Sequence, residues 1–422
     1  MAVRFSSVVA ILLGTAFLSI GQGLHQALIP ISAEALKYSA TTISILASVY
    51  FGGYLLGCFA APYLIKRVSH IRTLAVAASL LSALSLGHII VPNEALWVLF
   101  RICVGFSFAC IDVVMESWLA SRSTNEDRGK LLSFYRFIDL FALGVGQFLI
   151  ASASPTEFIL FAFVAIFVSI SVIIVSLSVA PTPDPPDNVK VRFLHVLQVS
   201  PLAIVVGALH GVASGIYWGF APVFATGISD NKAMVGSILA STVIGAAIAQ
   251  FPVGWASDRY DRRILIIWFS LFASITSLLV FGASFKFSEA ILPILALFGA
   301  TAFAIYPIAM TYAFDRAKPE EFFEVGASVL IAFGAGAFVG PLLVPFTLHF
   351  GNNSGAFLLI AVIYLLVFGF AIYRASRTDA VPEENAVEFV AMPSTTPVTL
   401  EIDPRVEDGI PTKEENTMGD GV

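Results

Sequence analysis

Apolar residues run along this chain in long blocks, with polar and charged residues gathered between them. Twelve blocks reach about 20 residues, the length an α-helix needs to cross the hydrocarbon core of a bilayer. They cover roughly 5–29, 41–65, 72–91, 95–119, 130–152 and 157–179, then 200–226, 233–256, 263–284, 288–314, 323–347 and 355–374. A backbone in lipid must satisfy its own hydrogen bonds, so each block is predicted to be helical. The first block follows Arg4 like the core of a secretory signal. Its apolar character continues to about Pro30, however, so a retained first helix is expected.

Between the sixth and seventh blocks stands P-T-P-D-P-P-D-N-V-K, which cannot continue a helix. It divides the chain into an N-terminal six-helix bundle (1–179), a cytoplasmic linker (180–199) and a C-terminal six-helix bundle (200–374). Residues 375–422 are acidic and proline-containing, and a disordered cytoplasmic tail is expected there. The expected fold class is all-α integral membrane, with twelve transmembrane helices in two pseudo-symmetric six-helix bundles.

Composition agrees: 58% of residues are hydrophobic and only 12% charged, where soluble domains carry about 25%. The tail from Ala375 holds eleven acidic and three basic residues, a net of −8 against −6 for the whole chain. The first 374 residues are therefore +2. No basic surface suggests nucleic acid. Cys58, Cys103 and Cys110 lie in apolar runs without metal or redox spacing and are expected to be reduced packing residues.

Lysine and arginine set the orientation. With the amino terminus inside, the cytoplasmic loops hold thirteen of them and the opposite loops only Lys37, Lys232 and Lys286. Both termini are expected in the cytoplasm, with the protein in the plasma (inner) membrane.

Two runs occupy corresponding places after the second and eighth blocks. G-W-A-S-D-R-Y-D-R-R spans Gly254 to Arg263, and P-Y-L-I-K-R-V-S-H-I-R spans Pro62 to Arg72. The first resembles the basic loop motif of the major facilitator superfamily, with Asp261 where glycine is usual. The second is degraded, with Lys66 in place of the aspartate and Ser69 in place of the glycine. Arg101 and Gly105 match the R-x-x-x-G that opens the fourth helix of that family. E-S-W-L (Glu116 to Leu119), R-G-K-L-L-S-F-Y (Arg128 to Tyr135) and Gly146-Gln147 narrow the likeness to the YcaD-like branch of uncharacterised facilitators. The resemblance covers residues 5–374.

The candidate chemistry begins on the fourth block. Arg101, Asp112 and Glu116 share one helical face, and the fifth block adds Arg136 and Asp139 three apart. Charge inside a membrane helix is costly and marks a functional site or a pair. Asp112 or Asp139 is the expected proton carrier, modulated by Arg101 or Arg136. Alternatively, Glu116 and Arg136 form a fixed pair near the cytoplasmic end. The resemblance implies a cavity lined by helices 1, 4, 7 and 10. On those helices Gln22, His25, Gln26, His210, Tyr217, Trp218 and Tyr306 are the candidate solute contacts. His25 and His210 are second candidates for the proton.

Gly254, Asp258, Arg259, Arg262 and Arg263 are expected to form a cytoplasmic gate, with Asp258 pairing with arginines of its own loop or capping a neighbouring helix. Glycines cluster as Gly53-x-x-x-Gly57, Gly144 with Gly146, and Gly334 to Pro341. Close packing is expected at most of them and bending at the last run.

The sequence holds no phosphate-binding loop, metal-ligand cluster or nucleophile–base motif. Neither enzyme nor cofactor is expected, and the energy source must be a gradient. The expectation is a monomeric, proton-coupled transporter of a small organic solute that works by alternating access, with a lean to export. The rival class is a membrane sensor that uses the same cavity and signals through the acidic tail.

Overall fold

The computed structural model describes residues 2–120, 128–177, 192–285, 290–318, 321–350, 354–377 and 389. The proline-rich linker and nearly all of the acidic tail lie outside the described residues. The first half comprises α1 (Ala2–Ala35), α2 (Ala40–Val68), α3 (His70–Ile90), α4 (Glu94–Ala120), α5 (Arg128–Phe148) and α6 (Phe158–Ser176). A short α7 (Phe193–Val199) leads into the second half. That half holds α8 (Pro201–Ile228), α9 (Lys232–Ser257), α10 (Arg262–Ala283), α11 (Ile291–Ala302), α12 (Ile305–Phe314), α13 (Phe322–Val339) and α14 (Gly355–Ala375). Twelve helical spans among the described residues are long and apolar enough to cross a membrane. The start of α1 and the end of α14 lie on one side of the bundle, called here the terminal side, and the opposite side is the far side.

Polar side chains placed where each apolar block begins set the helix starts. Ser39 accepts from the Thr42 N–H at 3.0 Å, and Asn231 accepts from Ala233 at 2.9 Å. Asp261 accepts from Arg263 at 2.9 Å. Each answers a first-turn donor that the helix itself leaves unpaired.

The first helix runs past its expected end near residue 29. Pro30 lies inside it, and Ser32, Ala33 and neighbours are buried, with the Ser32 hydroxyl donating to the Pro155 carbonyl at 2.6 Å. Packing of this last turn outweighs the backbone bond that Pro30 removes.

Proline has stronger effects in the second half. Pro307 has no N–H for the carbonyl four residues back, which is that of Phe303, and the tenth span breaks there between α11 and α12. Gly340-Pro341 and Pro345 likewise end α13, and the chain continues as a 3₁₀ segment over Gly340–Phe350.

Within each half, helices close on one another through glycines that face a partner's backbone. Gly23 sits on the Leu143 carbonyl and Gly146 on that of Ile20, which joins α1 to α5. Gly53 and Gly105 join α2 to α4 in the same reciprocal way, against Ile102 and Tyr50. The second half repeats both seams. Gly211 and Gly336 join α8 to α13, against Phe333 and Ala208, while Gly245 and Gly299 join α9 to α11, against Ala296 and Thr242. Spans 1 and 5 thus correspond to 7 and 11, and spans 2 and 4 to 8 and 10. The duplication suggested by two loops is written more fully in these seams. Within the run Gly334 to Pro341, Gly336 of α13 and Gly340 just past it both meet α8 backbone, and α13 gives way to the 3₁₀ segment at Gly340.

The halves meet mainly through side chains, although Gly236 of α9 comes up against the Phe148 backbone at the end of α5. α2 faces α13, with Phe338 against Gly52 and Leu55 against Gly334. α5 faces α9, where Phe137 and Phe251 lie 6.0 Å apart. At the far side the Thr226 hydroxyl donates to Glu34 at 2.6 Å, tying α8 to α1.

Candidate functional site

A cavity lies where the two halves meet, and counted out to open solvent it holds about 740 Å³. Its first-half wall carries Gln22 and Gln26 of α1, Tyr50, Phe51 and Tyr54 of α2, Asp112 and Glu116 of α4, and Tyr135, Arg136 and Asp139 of α5. The second half supplies Trp218, Phe303 and Phe333. The first-half wall is mostly polar and charged, with Phe51, Leu140 and Leu143 among its residues, and the other wall is aromatic.

Spacing of one turn brings the polar groups together. Gln22 and Gln26 share a face of α1, and both side-chain amides donate to the Tyr50 hydroxyl, at 3.3 and 3.2 Å. One turn along α2, the Tyr54 hydroxyl donates to Asp112 at 2.6 Å. On α5, Arg136 and Asp139 form an ion pair at 2.5 Å. Ser19 of α1 also donates to Asp139, at 2.7 Å. The arginine expected to neutralise Asp112 or Glu116 is therefore engaged on its own helix, while the partner of Asp112 is a neutral phenol.

Phe303 is the residue at which the tenth span breaks, so the local geometry that Pro307 imposes is also what places a ring at the cavity wall. Trp218 and Phe303 meet edge to face at 5.8 Å, over a small apolar cluster of Leu140, Leu143, Val243, Ala246 and Ala247.

The other sequence candidates are placed elsewhere. Arg101 is buried beside α2, donating to the Leu46 carbonyl at 3.2 Å, with its guanidinium 4.4 Å from the Tyr50 ring centre. Its second contact is His25, whose Nδ1 lies 3.3 Å away. The His25 ring packs against His88 and Phe108 inside the first half, away from the cavity. His210 contacts the Tyr364 hydroxyl at 3.1 Å and Ser214 at 3.3 Å, among the rings of Tyr306 and Phe333. Tyr217 and Tyr306 are likewise buried in the second half, and neither lines the cavity.

Of seven expected solute contacts, Gln22, Gln26 and Trp218 line the cavity. The residues that sequence reading missed are Tyr50, Phe51 and Tyr54 of α2, Tyr135 of α5, and Phe303 and Phe333. Tyr50 and Tyr54, four apart within an apolar helix, were the visible signal for α2.

At the terminal side, the loop Gly254–Arg263 has a pairing pattern of its own. Arg263 binds both oxygens of Asp261, with its closest contact at 2.6 Å. Arg262 is ion-paired with Asp315, which follows α12, and also donates to Ser257 at 3.2 Å. Arg259 lies over the Trp255 ring, 4.6 Å from its centre. Asp258 accepts from the backbone N–H of Phe389 at 2.7 Å, and the Phe389 ring rests on Gly254. The pairing expected of Asp258 with the loop arginines thus falls to Asp261 and Asp315. Burial alone would raise the Asp261 carboxyl, but bonds from the Arg263 side chain and backbone, with the charges of Arg263 and Arg316, hold it below its ordinary value.

The two half-cavities and the repeated seams invite comparison with known proteins. The model of the Major Facilitator Superfamily matches residues 11–202 and 203–402. The chain belongs to the Major Facilitator Superfamily. It is a multi-pass membrane protein, and it resembles the relatives named Uncharacterized MFS-type transporter YcaD. One of these, from Escherichia coli O17:K52:H18 (strain UMN026 / ExPEC), is 24% identical over 366 residues, covering 85% of this chain and 94% of that one. Another, from Escherichia coli (strain K12), is 23% identical, with 87% and 96% covered.

Solved structures of the superfamily share the fold. The nucleoside transporter NupG aligns with a TM-score of 0.73 at 12% identity, covering 90% of this chain and all of that one. The xylose transporter XylE from E. coli, in a partially occluded inward open conformation, aligns at 0.65 and 17% identity, covering 90% and 99%. The family expectation of a cavity lined by helices 1, 4, 7 and 10 is widened here by α2, α5 and α13.

Proposed function

We propose that this facilitator is a secondary active transporter that moves a small organic solute across the cytoplasmic membrane by coupling to protons. The observation that carries the proposal is the cavity between the halves, which holds a buried carboxyl, Asp112, within reach of both solute and proton. Charge retained inside a membrane bundle costs free energy and marks coupling groups, and midplane sites between repeats suit alternating access. The chain offers no phosphate-binding motif, and NupG and XylE, which share its fold, carry transporter names. Basic residues gathered in the terminal-side loops support cytoplasmic termini. The proposed domain limits remain 1–179, 180–199 and 200–374, and the proposed direction is export.

The test is flux. Purified protein would be screened by thermal shift against metabolite and drug collections, and each hit followed in proteoliposomes under an imposed pH gradient. Wild-type protein should move a hit faster with the gradient than without it. Asp112→Asn should bind but lose acceleration by the gradient. Ligand that binds and never moves under any gradient would overturn the transport reading.

A further inference from the structure

The two walls of the cavity differ in a way that constrains what fits. Among the described residues of the polar wall, Asp112 and Asp139 face Arg136. Arg136 is itself held by Asp139 at 2.5 Å. Asp112 is bound by a neutral hydroxyl, that of Tyr54, at 2.6 Å. Among the described residues, the ionisable groups around it are Tyr50, Tyr54 and Cys58 of α2, Cys110 and Glu116 of α4, and Tyr135, Arg136 and Asp139 of α5, of which Arg136 is the cation. The opposite wall offers, among the described residues, the rings of Trp218, Phe303 and Phe333, and its polar group is the Trp218 indole N–H.

We propose that the transported solute is a monovalent organic cation with an apolar or aromatic body, seated between Asp112 and the aromatic wall. This deepens the transport reading and rests on the same cavity. An anion would meet the Asp112 carboxyl, whose partner is a neutral hydroxyl. A neutral polyol would leave most of the hydroxyls that face the aromatic wall unbonded, which costs about 1–3 kcal/mol for each. A cation satisfies both walls, because aromatic faces attract positive charge by about 2 kcal/mol when water is excluded.

The same carboxyl then sets the exchange. When Asp112 carries a proton it has no charge with which to hold the cation, and when the cation seats the proton leaves. One proton moves one way for each cation moved the other, and no net charge crosses. That is antiport, which accords with the proposed export.

The experiment uses a matched pair of probes on the full-length protein. Tritiated phenethyltrimethylammonium is the cation, and its uncharged isostere carries tert-butyl in place of trimethylammonium. Equilibrium binding is measured between pH 5.5 and 8.5, followed by flux in proteoliposomes. The cation should bind at least tenfold more tightly than the isostere and weaken as pH falls, while isostere binding stays flat. Asp112→Asn should lose that preference and its pH dependence, and Asp112→Glu should recover part of both.

If Asp112→Asn does not fold, Phe303→Leu serves instead. It should lower cation affinity several-fold more than isostere affinity. Equal binding of the two probes, or an Asp112→Asn protein that keeps its preference, would overturn the cation assignment. Should some neutral solute nevertheless move under a pH gradient, the transport reading survives that failure. Selective cation binding without flux would do the reverse.

Discussion

Single residues decide how the ends of this bundle are held. Ser69 joins α2 to α3 at φ 81° and ψ 161°, a region populated almost entirely by glycine. It stands where the related loop motif has glycine, so the backbone there keeps the glycine shape without the glycine. Ser69→Gly should raise the unfolding temperature, by the equivalent of about 1 kcal/mol, as read by thermal denaturation in detergent. Asp261 occupies the matching place in the second half at φ −55°, where any residue is at ease.

The Asp261 carboxyl is depressed in the fold, so its contribution is present above the unfolded value of about 3.9 and lost as pH falls through the folded one. Asp261→Asn keeps a capping oxygen but loses the ion pair, so it should cost up to about 1 kcal/mol at pH 7, and that cost should shrink as pH falls through the folded value. Melting curves of both proteins taken at pH 7 and at successively lower pH check the sign.

At the scale of helices, most of the spans were legible because lipid demands long uninterrupted apolar blocks, and nothing else in a chain resembles them. Which face of each helix meets the cavity was far less legible. In a soluble helix the polar stripe points outward, but here lipid and bundle interior are both apolar, so periodicity carries little information. His25 and His210 drew attention as titratable groups, yet both are turned into the packing of their own halves. Tyr50 and Tyr54 look like ordinary membrane aromatics in the sequence and prove to organise Asp112, Gln22 and Gln26.

The glycine seams are where helix-level change is most costly. A Cβ at Gly146 would meet the Ile20 carbonyl, whereas at Gly369 it would meet nothing within 4 Å. Gly146→Ala should thus destabilise by 2 kcal/mol or more, on the order of magnitude of forced overpacking, while Gly369→Ala should be neutral or mildly stabilising. Pro307→Ala should restore a donor to the Phe303 carbonyl and straighten the tenth span. It should weaken solute binding without lowering the melting temperature.

For the whole molecule, the fold class followed from the block count, and the family from a few short motifs in loops and on the fourth and fifth helices. The polar-versus-aromatic division of the cavity did not, because it arises only when two distant halves face each other. If alternating access holds, the far-side contact between Glu34 and Thr226 must open in each cycle. Joining cysteines at those two positions with a short bifunctional thiol reagent should stop transport, and a reducible reagent should allow recovery. Continued flux in the cross-linked protein would argue against that motion. Deleting residues 380–422 removes the Phe389 contact with Asp258 and Gly254, and a transporter should keep most of its flux.

The seams also bear on how such a chain is made. Both first-half seams, α1 with α5 and α2 with α4, are complete by Phe148, before any residue of α8 has been synthesised. Neither borrows a glycine or a carbonyl from the second half. A ribosome can therefore deliver a sealed first half to the membrane while the second is still being translated. Two separate polypeptides, 1–190 and 191–422, should find each other in the same membrane and co-purify as a ligand-binding pair.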